Sequence, residues 1–160
     1  GLFEEEPTQV IGGQRNGDQQ GISVSLCDVN GDVLLDLIAG AYAGEDPTNP
    51  VSTQGVVQVY LHQGRGSLTP YAPDPDQTLV GRSLINDVWE GERNLRFGAE
   101  LAAADYDADG LCDLAVGAPF AVGLDESGED GRVYLYKGRS ADEQSLGGLT
   151  SEPVEVLEPP

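Results

Sequence analysis

The chain has 160 residues and a net charge of −20, with 28 Asp and Glu against 8 Lys and Arg; this argues against DNA or RNA as a ligand, because phosphates are neutralised by clustered bases. No apolar run approaches the ~20 residues of a membrane span, and 22 glycines with 10 prolines imply many turns. The acidity has two compatible readings, surface repulsion that favours solubility and ligation of cations.

In chain order, Ile22-Ser23-Val24-Ser25-Leu26 alternates apolar and polar, as a half-buried strand does. Asp36-Leu37-Ile38-Ala39-Gly40 is a short apolar run ending in Gly and reads as a buried strand. A Gly/Pro/Asp-rich connector, 43–55, leads to Val56–Leu61, whose β-branched and aromatic residues suit a pleated surface. The stretch Ser83–Arg96 is compatible with one helical turn. Asp113–Gly117 and Val133–Tyr136 are again strand-like.

The second half repeats the first. Gly21–Tyr42 (GISVSLCDVNGDVLLDLIAGAY) aligns without a gap on Gly98–Pro119 (GAELAAADYDADGLCDLAVGAP), an offset of 77. Val59–Arg65 matches Val133–Arg139 at an offset of 74, which places a three-residue difference in the connectors 43–55 and 120–131. A third element recurs from Gly1-Leu2-Phe3 to Val10-Ile11-Gly12, from Ser67-Leu68-Thr69 to Leu79-Val80-Gly81, and from Gly148-Leu149-Thr150 to Val156-Leu157. Each unit reads strand, acidic loop, strand, connector, strand, connector, strand. That order predicts an all-β protein of four-stranded antiparallel blades of the β-propeller type, about two blades in number.

The acidic loops carry the chemistry. Asp28, Asn30, Asp32 and Asp36 stand at loop positions 1, 3, 5 and 9, and Asp105, Asp107, Asp109 and Asp113 repeat them. Alternate oxygen-bearing side chains on a tight turn can converge on one point, with the position 7 carbonyls of Leu34 and Leu111 added. Hard oxygen donors in this number suit Ca²⁺, and no His or Cys is placed to favour zinc or copper. An EF-hand is excluded because position 12 holds Ala39 and Val116 instead of Glu. Asp, Asn and Gly also make turns without any metal, but the same spacing twice favours two calcium sites. The second is expected to be tighter: it has one more carboxylate, and Gly110 where the first loop has β-branched Val33. The calcium would be structural, since unneutralised carboxylates repel one another and binding becomes folding free energy.

Cys27 and Cys112 form no zinc spacing, and each adjoins an apolar strand-like segment, which favours buried free thiols over a single bridge. No enzyme is indicated. His62, the one histidine, aligns with Tyr136, and the paired carboxylates are explained by metal spacing. Trp89 has no counterpart in the first unit and reads either as a loop anchor or as a ligand-stacking residue. The absence of any Met, even at position 1, suggests a processed or excised piece of a longer chain.

Phe97-Gly98, the loop Asp105–Asp113 and Gly117-Ala118-Pro119 together resemble the FG-GAP repeat of integrin α-subunit β-propellers and related bacterial surface proteins. The first unit is similar but degenerate, with Gln20-Gly21 and Gly40-Ala41-Tyr42 in those places. The resemblance implies four-stranded blades with Ca²⁺ between the first two strands. It also implies an organisation of 1–19 as a strand of a preceding blade (near 10–12) and linker, 20–81 as the first blade, and 82–160 as the second, closed near 154–157. Such propellers usually close with seven blades, so two would leave open ends able to self-associate. The function implied is a calcium-binding extracellular interaction or adhesion module with a protein or carbohydrate ligand. The alternative is a structural or carbohydrate-binding propeller segment of a larger secreted protein or enzyme. Leu124-Asp125-Glu126-Ser127 resembles a short acidic adhesion motif. The lack of any Asn-x-Ser/Thr site favours a bacterial source.

Overall fold

The computed structural model describes residues 7–47, 54–81, 83–85, 88–90, 95–121, 131–142 and 147–157, with backbone alone for 83–85 and 88–90. Among the described residues twelve short strands follow one another: β1 (Ser23–Cys27), β2 (Asp36–Ala41), β3 (Val56–Tyr60), β4 (Gln77–Val80), β5 (Ser83–Ile85), β6 (Val88–Glu90), β7 (Glu100–Ala104), β8 (Asp113–Ala118), β9 (Arg132–Tyr136), β10 (Gly138–Arg139), β11 (Gly148–Leu149) and β12 (Glu155–Leu157). They form two four-stranded antiparallel sheets, β1-β2-β3-β4 and β7-β8-β9-β12, and two small hairpins, β5-β6 and β10-β11. This is the arrangement of two propeller blades. Within Ser83–Arg96, read as compatible with one helical turn, the described residues 83–85 and 88–90 pair as the β5-β6 hairpin. Ile85, Val88 and Trp89 are β-branched or aromatic residues, types that suit a strand once the two segments pair. Residues 10–12, read as an outer strand of a preceding blade, pair with no strand among the described residues, and the first sheet draws its four strands from 23–80.

Strand pairing corrects the repeat in its third strand. Leu37 pairs with Tyr60, and its counterpart Leu114 (114 − 37 = 77) pairs with Tyr136, so the offset there is 136 − 60 = 76, not 74. Similar residues, Val-Tyr-Leu twice, had suggested a register two residues away. A slip of two keeps every side chain on the same face, so the hydrophobic pattern alone does not detect it.

The core lies between the two sheets. Ile38, Val57, Val59 and Leu79 of the first sheet meet Leu114, Val116, Tyr134 and Tyr136 of the second, all essentially inaccessible. Phe97 closes this layer edge-on to the rings of Tyr134 and Tyr136, with centroids at 5.3 and 6.2 Å. In the first unit Gln20 holds the equivalent place and donates to the Tyr60 hydroxyl instead.

The alternation of β1 is present with the opposite sense to the usual one: Ser23, Ser25 and Cys27 are half-buried towards the second sheet, and Val24 and Leu26 are exposed. The reason is close approach of backbones. A Cβ added to Gly40 would lie 2.1 Å from the carbonyl oxygen of Gly98, and the Ser23 hydroxyl donates to that same oxygen at 2.7 Å. Only small side chains fit there. Gly98 itself has φ of 85°, which glycine adopts without penalty.

Cys27 and Cys112 are joined in a disulfide across the two sheets, with Cα atoms 5.9 Å apart. This corrects the free-thiol expectation. Each cysteine borders an apolar strand, but the strands belong to neighbouring sheets whose ends meet, a juxtaposition that local sequence does not contain.

Two outcomes are expected. Gly40→Ala should cost about 2–3 kcal/mol in urea denaturation; the equivalent Gly117→Ala, whose Cβ would meet nothing closer than 3.6 Å, should change stability by under ~0.5 kcal/mol. Equal costs would remove the close-approach explanation. Replacing both cysteines by serine should lower stability by about 2–4 kcal/mol, since the bridge closes a separation of 85 residues in the unfolded chain.

Candidate metal centre

Each Asp-rich turn is built by its own side chains. In the first, Asp28 Oδ1 accepts from Gly31 N (2.7 Å) and Asp32 N (3.2 Å), and its Oδ2 accepts from Val33 N (2.8 Å). In the second, Asp105 accepts from Asp109 N (3.1 Å) and Gly110 N (3.0 Å). Position 3 accepts from the position 5 amide in both, through Asn30 and Asp107, each at 3.2 Å. Position 5 then accepts from position 7: Leu34 N to Asp32 at 2.8 Å and Leu111 N to Asp109 at 2.9 Å. The turn thereby orients its oxygens through its own amides.

In the second loop these constraints bring ligand oxygens of Asp105, Asp107 and Asp109 within 4.8 Å of one another, all three residues exposed. Three carboxylates this close form a hard, anionic donor set that fits Ca²⁺, with room for water or carbonyl oxygens to complete six to eight ligands. Among the described residues this is the one such acidic group. In the first loop the amide of Asn30 replaces a carboxylate and its Nδ2 points at Asp32 Oδ2, 3.5 Å away.

The position 9 residues are placed differently. Asp36 and Asp113 begin β2 and β8, are 0% and 1% exposed, and each accepts two backbone N–H bonds. Asp36 takes Val29 N (3.0 Å) and His62 N (2.9 Å); Asp113 takes Tyr106 N (3.3 Å) and Gly138 N (2.9 Å). Burial raises the pKa of Asp36, opposed by those two N–H bonds and assisted by the negative charges of Asp32 and Asp28. Asp113 is not among the three carboxylates whose oxygens converge within 4.8 Å. Leu34 and Leu111, proposed for their carbonyls, are half-buried, and the Leu111 side chain lies against Gly31 of the other loop.

The two loops differ in a way that counting carboxylates did not reveal. The first is a joint between the blades. Its carbonyls at Asp28, Val29 and Asn30 accept from Cys112, Arg139 and Ala141 at 2.9, 3.1 and 3.2 Å. Val29 is fully buried, whereas Tyr106, its equivalent, is 50% exposed. The strain is also shared out between them. Val33 has φ of 67° and Ala108 φ of 62°, while their counterparts Gly110 and Gly31 supply the permissive residue at those positions. Each loop therefore forces one non-glycine into the left-handed region, and the first carries the costlier, β-branched one.

His62 sits beyond β3, its Nδ1 accepting from Gly64 N at 3.0 Å and its ring edge-on to Tyr71. It is a turn-stabilising residue with no acid, base or nucleophile among these partners. The side chain of Trp89 and the segment Leu124–Ser127 lie outside the described residues.

Two antiparallel four-stranded sheets packed face to face, each with an oxygen-rich turn between its first two strands, define a propeller-type repeat protein. Residues 97–136 match the FG-GAP repeat family. The chain is 33% identical over 149 residues to integrin alpha-5 of Xenopus laevis, covering 91% of the chain and 12% of that protein. It is 34% identical over 149 residues to phosphatidylinositol-glycan-specific phospholipase D of Homo sapiens, covering 89% and 16%. Integrin alpha-3 of Mus musculus is 31% identical over 150 residues, covering 93% and 12%. The chain carries an FG-GAP repeat and is homologous to the propeller regions of integrin α subunits and of this phospholipase D. It spans between 12% and 16% of the length of these relatives.

Exchanging the strained position tests the loop assignment. Val33→Gly, at a side chain 76% exposed, should stabilise by about 0.5–1 kcal/mol, because relief of left-handed strain exceeds the added backbone entropy. Gly110→Val should destabilise by about 1–2 kcal/mol, although nothing lies within 4 Å of the added Cβ. Thermal melts in chelator compare both without metal.

Proposed function

We propose that this chain is a calcium-stabilised, non-catalytic interaction module, two blades of a propeller whose Asp-rich turns are fixed by Ca²⁺. The convergence of Asp105, Asp107 and Asp109 inside an FG-GAP repeat carries the reading. A divalent cation there would remove the mutual repulsion of three carboxylates and lock the β7-β8 turn. The first loop would hold a second, weaker ion through Asp28, Asn30 and Asp32. Because that loop is bonded to the next blade, its ion would reinforce the joint. Asp36 and Asp113 act beneath the ions as backbone acceptors that shape the turns.

An extracellular setting is supported by the disulfide, which persists in oxidising compartments, and by the homology to integrin α subunits. The phospholipase D match covers 16% of that enzyme, and in this chain the acidic side chains are engaged in turn-building, which favours a binding role over hydrolysis. Apolar residues stay exposed on the outer sheet faces, Val24 and Leu26 on one and Val133 and Leu157 on the other. These faces are suited to a protein partner or a further blade-like surface.

Calorimetric titration of chelator-treated protein with Ca²⁺ is the direct test. Two unequal sites are expected, with Asp109→Ala abolishing the tighter one. Melting temperature should rise by roughly 5–10 °C at a hundredfold excess over Kd. No binding at millimolar Ca²⁺ would reduce the Asp loops to turns.

A further inference from the structure

We infer that Lys137 sets the calcium affinity of the second loop by acting as a tethered competitor for Asp107; this rests on the calcium reading of that loop. Lys137 is the only lysine in the chain and directly follows β9. Its Nζ forms an ion pair with Asp107 Oδ2 and lies 5.9 Å from the centroid of the Tyr106 ring. The other oxygen of Asp107 already accepts the Asp109 amide at 3.2 Å. Asp107 thus has both oxygens engaged, and one of them holds a cation.

The first loop lacks this device. With the third-strand offset of 76 given by the pairing of Tyr60 and Tyr136, Lys137 corresponds to Leu61 (137 − 76 = 61), which is apolar and 9% exposed. Position 3 of the first loop is the uncharged Asn30. The second site therefore has both a further carboxylate and an opposing ammonium, so the extra Asp overstates the difference between the loops.

A divalent ion bound by Asp105, Asp107 and Asp109 would lie within a few ångströms of the ammonium. Either the two cations repel in place, or the lysine swings away on its flexible stem and its ion pair is lost. Its side chain is 40% exposed, so the second route is open. At a solvated surface with physiological salt, either cost corresponds to about a three- to tenfold weakening of Ca²⁺ binding. The effect is one of charge and position; Lys137 stays protonated throughout.

The test is Ca²⁺ titration by calorimetry of the wild type, K137Q, K137R and D109A. K137Q should tighten the site that D109A abolishes by about three- to tenfold and leave the other within twofold. K137R should stay within about threefold of wild type. Because the chain has one lysine, reductive ¹³C-methylation gives a single side-chain dimethylamine resonance, which should shift as the D109A-sensitive site fills. A D109A-sensitive site whose affinity is unchanged in K137Q, with a lysine resonance that does not move, would overturn the competitor role and leave the calcium reading intact. No D109A-sensitive binding in any variant would overturn both.

Discussion

A buried carboxylate at the start of each second strand has to find hydrogen-bond donors, and in both blades it takes the same two. Asp36 and Asp113 each receive one N–H from the second residue of their own Asp-rich turn and one from the second residue beyond the third strand. Three chain segments are tied to one side chain that is 0–1% exposed. An unpaired carboxylate there would carry a large desolvation cost, so the turn, the β1-β2 or β7-β8 hairpin and the exit of the third strand are fixed together. The oxygens of positions 1, 3 and 5 are held above that anchor, which is why a metal-sized convergence arises in a loop with no core of its own.

The joint between the blades uses a second set of constraints. On the inner edge, Gly40 and Gly98 bring backbones so close that β1 must face its neighbour with serines, displacing Val24 and Leu26 to the outer face. At the loop end, three carbonyls of the first Asp turn accept amides of the second blade, and the disulfide follows the same seam. Cys27 immediately precedes Asp28, and Cys112 immediately precedes Asp113, so the bridge couples the beginning of one turn to the end of the other. A turn that reads as a metal loop in isolation is thus also an interface element in the first blade, and a solvent-facing one in the second.

Much of the fold was legible because the chain states it twice. The Asp spacing, the run from Asp36 to Gly40 and its copy from Asp113 to Gly117, and the Phe97-Gly98 and Gly117-Ala118-Pro119 signatures are local patterns that survive without coordinates. The third-strand register was misread because Val-Tyr-Leu recurs two residues out of step, and a two-residue slip preserves the inside–outside pattern. The hairpin at Ser83–Glu90 was missed because short segments of mixed type fit a turn of helix as readily as a strand until they pair.

The sequence by itself determined the four-strand repeat, which the chain states twice, and the oxygen-rich turns with their count of carboxylates, which are set by spacing within about ten residues. Only the tertiary structure decided that the cysteines bridge, that the first turn is an interblade joint, that Asp36 and Asp113 serve as buried acceptors, and that Lys137 lies on Asp107. Each of these joins residues distant in sequence, by up to 85 positions for the disulfide. Local propensity and periodicity describe which surfaces a segment offers, whereas contact between segments depends on how the sheets stack and which backbone groups remain to be paired.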